Sequence, residues 1–150
     1  MLETNVRHDV VETLLAEGKR VKLKAGGYSM YPFLKPKDYL VVENTPFATI
    51  CLGDIVVFKR ESRFIGHRVV DIREINNQPF LITCGDSCLK YDEPISKDLY
   101  LGKVIAFVRE EKKVMITSRS SNFSLIKNYK NRTSVLFIRI IEKLRYMFVK

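Results

Sequence analysis

The period of the hydrophobic positions changes along the chain. Over residues 5–17, Val6, Val10 and Leu14 recur every fourth position, with Val11 and Leu15 beside them. That spacing puts them on one face of a helix, and Gly18 is its expected stop. Seven short runs rich in Val, Ile, Phe or Tyr follow: Val21–Ala25, Tyr39–Glu43, Asp54–Lys59, Phe64–Ile72, Pro79–Cys84, Leu99–Arg109 and Lys113–Thr117. Such residues suit a pleated, half-buried surface. Pro36-Lys37-Asp38, Leu52-Gly53-Asp54, Asn76-Asn77 and Gly85-Asp86 punctuate the runs as turns. The pattern predicts a mainly β protein: a compact antiparallel core behind a short N-terminal helix.

From Asn122 the texture changes. Residues 134–150 read SVLFIRIIEKLRYMFVK. On a helical projection Arg132, Arg139, Lys143 and Lys150 share one stripe, with Glu142 beside it, and most of the remaining surface is apolar. The expected element is a C-terminal basic amphipathic helix. It could pack on the β core, lie in a membrane interface beside anionic lipid, or bind nucleic acid. The expected organisation is a core over residues 1–118 and a basic segment over 119–150.

Charge sharpens that division. The chain has 150 residues and a formal net charge of +9, from 26 Lys+Arg against 17 Asp+Glu. Residues 1–102 hold 14 of each sign, whereas residues 103–150 hold 12 bases and 3 acids. The excess therefore belongs to the last third of the chain. Nucleic acid is not the expected partner, since so much apolar surface in the tail would need another cover; peripheral membrane contact through residues 134–150 is. The opening residues carry acids and no apolar signal core, and no uncharged stretch approaches the roughly 18–20 residues that span a bilayer. The expected location is the cytoplasm or a membrane surface.

The three cysteines, Cys51, Cys84 and Cys88, are too few and too unevenly spaced for a disulfide framework. With only His8 and His67 to join them, they make no tetrahedral zinc set. No metal or cofactor is expected.

Three segments carry the candidate chemistry. In GGYSMYPFLKPKDYLVVE, residues 26–43, Ser29 follows two glycines and precedes Met30-Tyr31-Pro32. Glycines let backbone approach a substrate closely, and a serine hydroxyl becomes a nucleophile only beside a positioned base. In GDIVVFKRESRFIGHRVVDI, residues 53–72, His67 is the only histidine of the β region. An imidazole ordinarily titrates near pH 6.5, about where a general base must work. In TCGDSCLKYDEPISKDLYLGKV, residues 83–104, Asp86 and Asp92 lie in turns after an apolar run. Either carboxylate could accept a hydrogen bond from the far ring nitrogen of His67, fixing its tautomer. Each residue alone also has an ordinary explanation: a loop serine, a strand histidine, turn-capping acids.

Read in order, these boxes resemble the type I signal peptidase family and its relatives, the LexA-like autoproteases. The resemblance spans roughly residues 20–108 and rests on Ser29-Met30-Tyr31-Pro32, Gly53-Asp54-Ile55-Val56, Gly85-Asp86 with Asp92, and Gly102-Lys103-Val104. His67-Arg68 stands where one branch has lysine, so the chain looks like the serine–histidine branch. The resemblance implies the family's β fold and a serine endopeptidase that cleaves leader or signal peptides through an acyl-enzyme. Ser29 would be the nucleophile and His67 the base, with Asp92 bonded to the histidine and Asp86 holding its turn. It implies an extended substrate beside a β-strand, with small residues before the cut. Tyr31, Gly27 and Cys88 depart from the family's usual residues. Those departures keep a second expectation in play, a non-catalytic module on the same fold that binds peptides or a membrane partner.

Overall fold

The computed structural model describes residues 2–3 and 8–116. The expected C-terminal amphipathic helix and the 119–150 segment lie outside the described residues. Helix α1 runs His8–Ala16, inside the span expected from the periodicity. Its inward face is Val11 and Leu15, both buried, while Val10 points to solvent. The helix ends as its composition dictates. Gly18 takes φ +75°, its N–H donates to the Leu15 carbonyl, and the Lys19 N–H donates to the Leu14 carbonyl. Only a residue without a Cβ takes this left-handed closing turn at little cost.

The strands are β1 (Leu2–Glu3), β2 (Val21–Ala25), β3 (Tyr39–Glu43), β4 (Ile55–Arg60), β5 (Arg63–Ile75), β6 (Gln78–Cys84), β7 (Tyr100–Arg109) and β8 (Lys112–Met115). They form one sheet in the order β1-β2-β3-β7-β4-β5-β6, with β8 paired to β7. Every pairing is antiparallel. The chain is thus mainly β, as its runs and turns predict. β1 and a short 3-10 turn at Phe47–Thr49 are additions that the hydrophobic pattern does not announce.

Side-chain alternation builds two cores on the two faces of the sheet. On β2, Val21, Leu23 and Ala25 point inward while Lys22 is exposed. On β4 both faces are covered: Ile55 and Val57 join a larger cluster with Val11, Leu15 and Phe64, whereas Val56 and Phe58 join a smaller one with Val69, Leu81 and Ile95. A strand buried on both sides reads as a continuous apolar run, which is how Ile55-Val56-Val57-Phe58 reads.

Two features of the sheet position the site. β1 pairs with β2 and also lies against β5, so the sheet curls until β1 bridges the strand leading to Ser29 and the strand carrying His67. After β6 the chain returns along it: the Leu81 and Ile95 backbones exchange two hydrogen bonds, and the Asp92 N–H donates to the Thr83 carbonyl at 2.8 Å. The return segment therefore brings Asp92 to the end of β6 that adjoins β5.

Candidate active site

Ser29 is half-buried in a turn between β2 and β3. The turn is closed by the Tyr31 N–H on the Tyr28 carbonyl and the Leu34 N–H on the Met30 carbonyl, both at 2.9 Å, and the Tyr31–Pro32 peptide is cis. Met30 and Leu34 are sunk into the larger core, which anchors the turn below its hydroxyl. From the other side the Gly85–Cys88 turn grips it. The Ser87 N–H donates to the Ser29 carbonyl at 2.9 Å, and Ser87 Oγ donates to the Tyr28 carbonyl at 2.6 Å.

His67 and Arg68 are consecutive on β5, so their side chains leave opposite faces of the strand. His67 shares its face with Ile65 and Val69, and its ring meets the Phe58 ring edge-on at a centroid separation of 6.3 Å. This packing fixes the ring plane. Nε2 lies 3.0 Å from Ser29 Oγ, and Nδ1 lies 2.6 Å from Asp92 Oδ2. An ionised carboxylate only accepts, so the proton of that bond sits on Nδ1, and Nε2 is left to accept from the serine hydroxyl.

Burial pushes the Asp92 carboxyl upward, but the His67 hydrogen bond and charge, the Thr83 hydroxyl and the positive field of Arg60 outweigh it. The carboxyl is held below its ordinary range. Asp92 therefore stands ready to accept from His67 at neutral pH.

Arg68, on the other face, ties three loops together. Its Nε and Nη2 donate to Asp86 Oδ1 and Oδ2, both at 2.8 Å, and Nη1 donates to the Gly53 carbonyl at 2.9 Å. Its guanidinium also lies 4.9 Å from the centroid of the Phe33 ring. Asp86 is spent on this ion pair, so the structure separates the two acids that the sequence leaves interchangeable. Asp92 meets the histidine, and Asp86 holds its turn.

Ser29, His67 and Asp92 are thus brought into one hydrogen-bonded line, with Asp86 beside it in a supporting pair. Two further residues hold the line, and neither belongs to the boxes' expected machinery. Thr83 donates from Oγ1 to Asp92 Oδ2 at 2.6 Å, and Ser87 docks the two turns. Thr83 had a signal: it is the one hydroxyl residue within the apolar run Phe80–Cys84, and a buried hydroxyl requires a partner. Among the described residues no group of three or more His, Cys, Asp or Glu could hold a metal ion. Cys51 is exposed, Cys84 buried and Cys88 half-buried. No helix among the described residues is long and apolar enough to cross a membrane.

Comparison with protein-family models, with curated proteins and with solved structures finds no match for the chain.

Proposed function

We propose that this chain is a serine endopeptidase of the signal-peptidase type, cleaving leader or signal peptides through an acyl-enzyme. The observation that carries the reading is the continuous line Ser29 Oγ–His67 Nε2 at 3.0 Å and His67 Nδ1–Asp92 Oδ2 at 2.6 Å. Both contacts are within the reach that proton transfer needs. A module that only binds peptides requires neither contact, so the geometry supports hydrolysis over binding alone.

In the proposed reaction Ser29 Oγ attacks the scissile carbonyl carbon as its proton passes to His67 Nε2. The imidazolium so formed keeps its Nδ1–H on Asp92, whose ionised carboxylate stabilises it. The tetrahedral oxyanion takes a hydrogen bond from the Ser29 backbone N–H. Collapse breaks the C–N bond, and the Nε2 proton goes to the leaving amine. His67 then draws a proton from water, whose oxygen attacks the carbonyl carbon of the Ser29 ester; collapse breaks the C–Oγ bond, the Nε2 proton returns to Ser29 Oγ, and the new C-terminal carboxyl group leaves. The proton transfers use groups already in line.

The substrate is proposed to be an extended peptide with small residues before the cut. β6 joins β5 only from Arg68 onward, so the stretch Arg63–His67 is paired within the sheet through β4. Peripheral membrane contact through residues 134–150 is part of the same proposal.

The direct test is reaction with a serine-directed covalent inhibitor, read as added mass on the Ser29 peptide. Labelling of the native chain, lost in His67→Ala, is expected. Equal labelling of both rejects an activated serine.

A further inference from the structure

We propose that Thr83 is a positioning residue of this site: it selects the carboxylate oxygen and the rotamer with which Asp92 meets His67. The inference deepens the peptidase reading and rests on it for the reaction, though not for the geometry.

Thr83 is fully buried, at 0% exposure, on β6. It faces Asp92 through two groups at once. Its carbonyl accepts the Asp92 N–H at 2.8 Å, and its Oγ1 donates to Asp92 Oδ2 at 2.6 Å. The same Oδ2 receives His67 Nδ1 at 2.6 Å. One carboxylate oxygen is therefore held by two short bonds of similar length, one from the base and one from the sheet.

Asp92 needs such a hold. It lies in the return segment after β6 and not in a strand, and its side chain keeps 22% of its surface in water. A carboxylate so placed can rotate about two bonds and exchange its oxygens. Thr83 removes that freedom because its own position is set by the β5–β6 register, which pairs it with Val69, two residues beyond His67. The sheet that places the histidine thus also places the acid that orients it. Thr83 touches neither substrate nor the reacting atoms. It acts through Asp92.

A simpler account makes Thr83 a buried hydroxyl whose bond only satisfies itself. The two accounts differ in what Thr83→Val does. Valine keeps the branched shape and the backbone bond and removes only the donor. If Thr83 positions Asp92, Thr83→Val lowers kcat by about 10- to 100-fold with little change in KM, less than the roughly 10⁴-fold that disrupting a triad carboxylate costs. Thr83→Ser, which keeps the hydroxyl, restores most of kcat.

The decisive readout needs no turnover. In the full-length Ser29→Ala chain, the His67 Nδ1 proton is expected as a low-field NMR signal protected from exchange. Adding Thr83→Val should broaden that signal or shift it upfield, and adding Thr83→Ser should retain it. A signal unchanged by Thr83→Val overturns the proposal whatever the peptidase assay shows. A signal lost in Thr83→Val, in a chain whose native form hydrolyses nothing, sustains the positioning role and removes only the reaction. Should Thr83→Val fail to fold, Thr83→Cys reads the same proton with a much weaker donor in place.

Discussion

Arg68 and Asp86 form a two-armed ion pair, with both arms at 2.8 Å and side chains only 6% and 5% exposed. Removing one partner of such a pair strands the other charge in a poorly solvated place. Asp86→Ala is therefore expected to cost about 3–5 kcal/mol of unfolding free energy, a large share of a small domain's stability. Arg68 would also loosen its hold on the Gly53 loop and the Gly85 turn that flank Ser29 and His67. Urea unfolding of the variant against the parent checks this. A loss under about 1 kcal/mol, the usual worth of an exposed pair, would show that the pair is not a keystone.

Gly85 lies where the second turn touches the first. A Cβ there would stand 2.6 Å from the Ser29 carbonyl oxygen and 2.7 Å from Cys88 Sγ. The oxygen is backbone, already engaged by Ser87, and cannot swing aside. Gly85→Ala must therefore shift the Ser29 turn or the Gly85–Cys88 turn against it, at about 1–3 kcal/mol of overpacking, and so disturb the placement of Ser29. Gly102 offers the control: its added Cβ would meet the Glu43 carbonyl oxygen at 2.6 Å and Val42 at 2.9 Å, not Ser29. Both alanine variants should lose stability by thermal unfolding, but only Gly85→Ala should lose turnover per folded molecule.

Those two relationships mark how far the sequence can be read. The alternation of Val21–Ala25 and the apolar run Ile55–Phe58 are local patterns, and they place β2 and β4 to within a residue. The boxes around Ser29, His67, Asp86 and Asp92 are likewise visible as segments. What remains hidden is pairing across the chain. Asp86 and Asp92 are equivalent as turn acids until Arg68, from another strand, claims one of them. Thr83 and Ser87 show their partners only once β6 lies beside β5 and the return segment folds back.

The β7–β8 turn is hidden for a different reason. Glu110 and Glu111 take φ +48° and +65°, between the paired residues Arg109 and Lys112. This left-handed pair is the form that Asn-Gly adopts without strain, and glutamates give no such signal. The strain is removable. Glu110→Asn with Glu111→Gly should raise unfolding free energy by about 1 kcal/mol. A denaturant midpoint that fails to rise would show that the glutamates gain something else in that turn.

The Asp92 carboxyl links folding stability to pH. It is held below the ordinary range, since the His67 and Thr83 bonds outweigh the burial that would raise it. A carboxylate depressed in the folded state adds stability that is complete above its unfolded pKa of roughly 4 and is lost as pH falls through the lower folded value. The stability difference between the native chain and Asp92→Asn should therefore still be present at about pH 5 and should shrink below about pH 4. Unfolding measured across that range checks the sign. A gap that closes well above pH 5 would mean that the folded carboxyl is raised, contrary to its surroundings.

Ser29 and His67 are proposed to act as one unit, and that has a consequence which two single variants cannot show. With Oγ and Nε2 3.0 Å apart, the serine is nucleophilic only through the histidine, and the histidine's later proton transfers need the acyl group that the serine carries. Ser29→Ala and His67→Ala should each lower kcat by about 10⁴-fold or more. The double variant should be no slower than the slower single. Peptide affinity should hold in all three, because neither side chain is proposed to bind the substrate's flanking residues. Independent roles would instead multiply the two losses, leaving the double variant several orders of magnitude below either single. Single-turnover kinetics on one leader-peptide substrate, with affinity measured separately by calorimetry, separates the two outcomes.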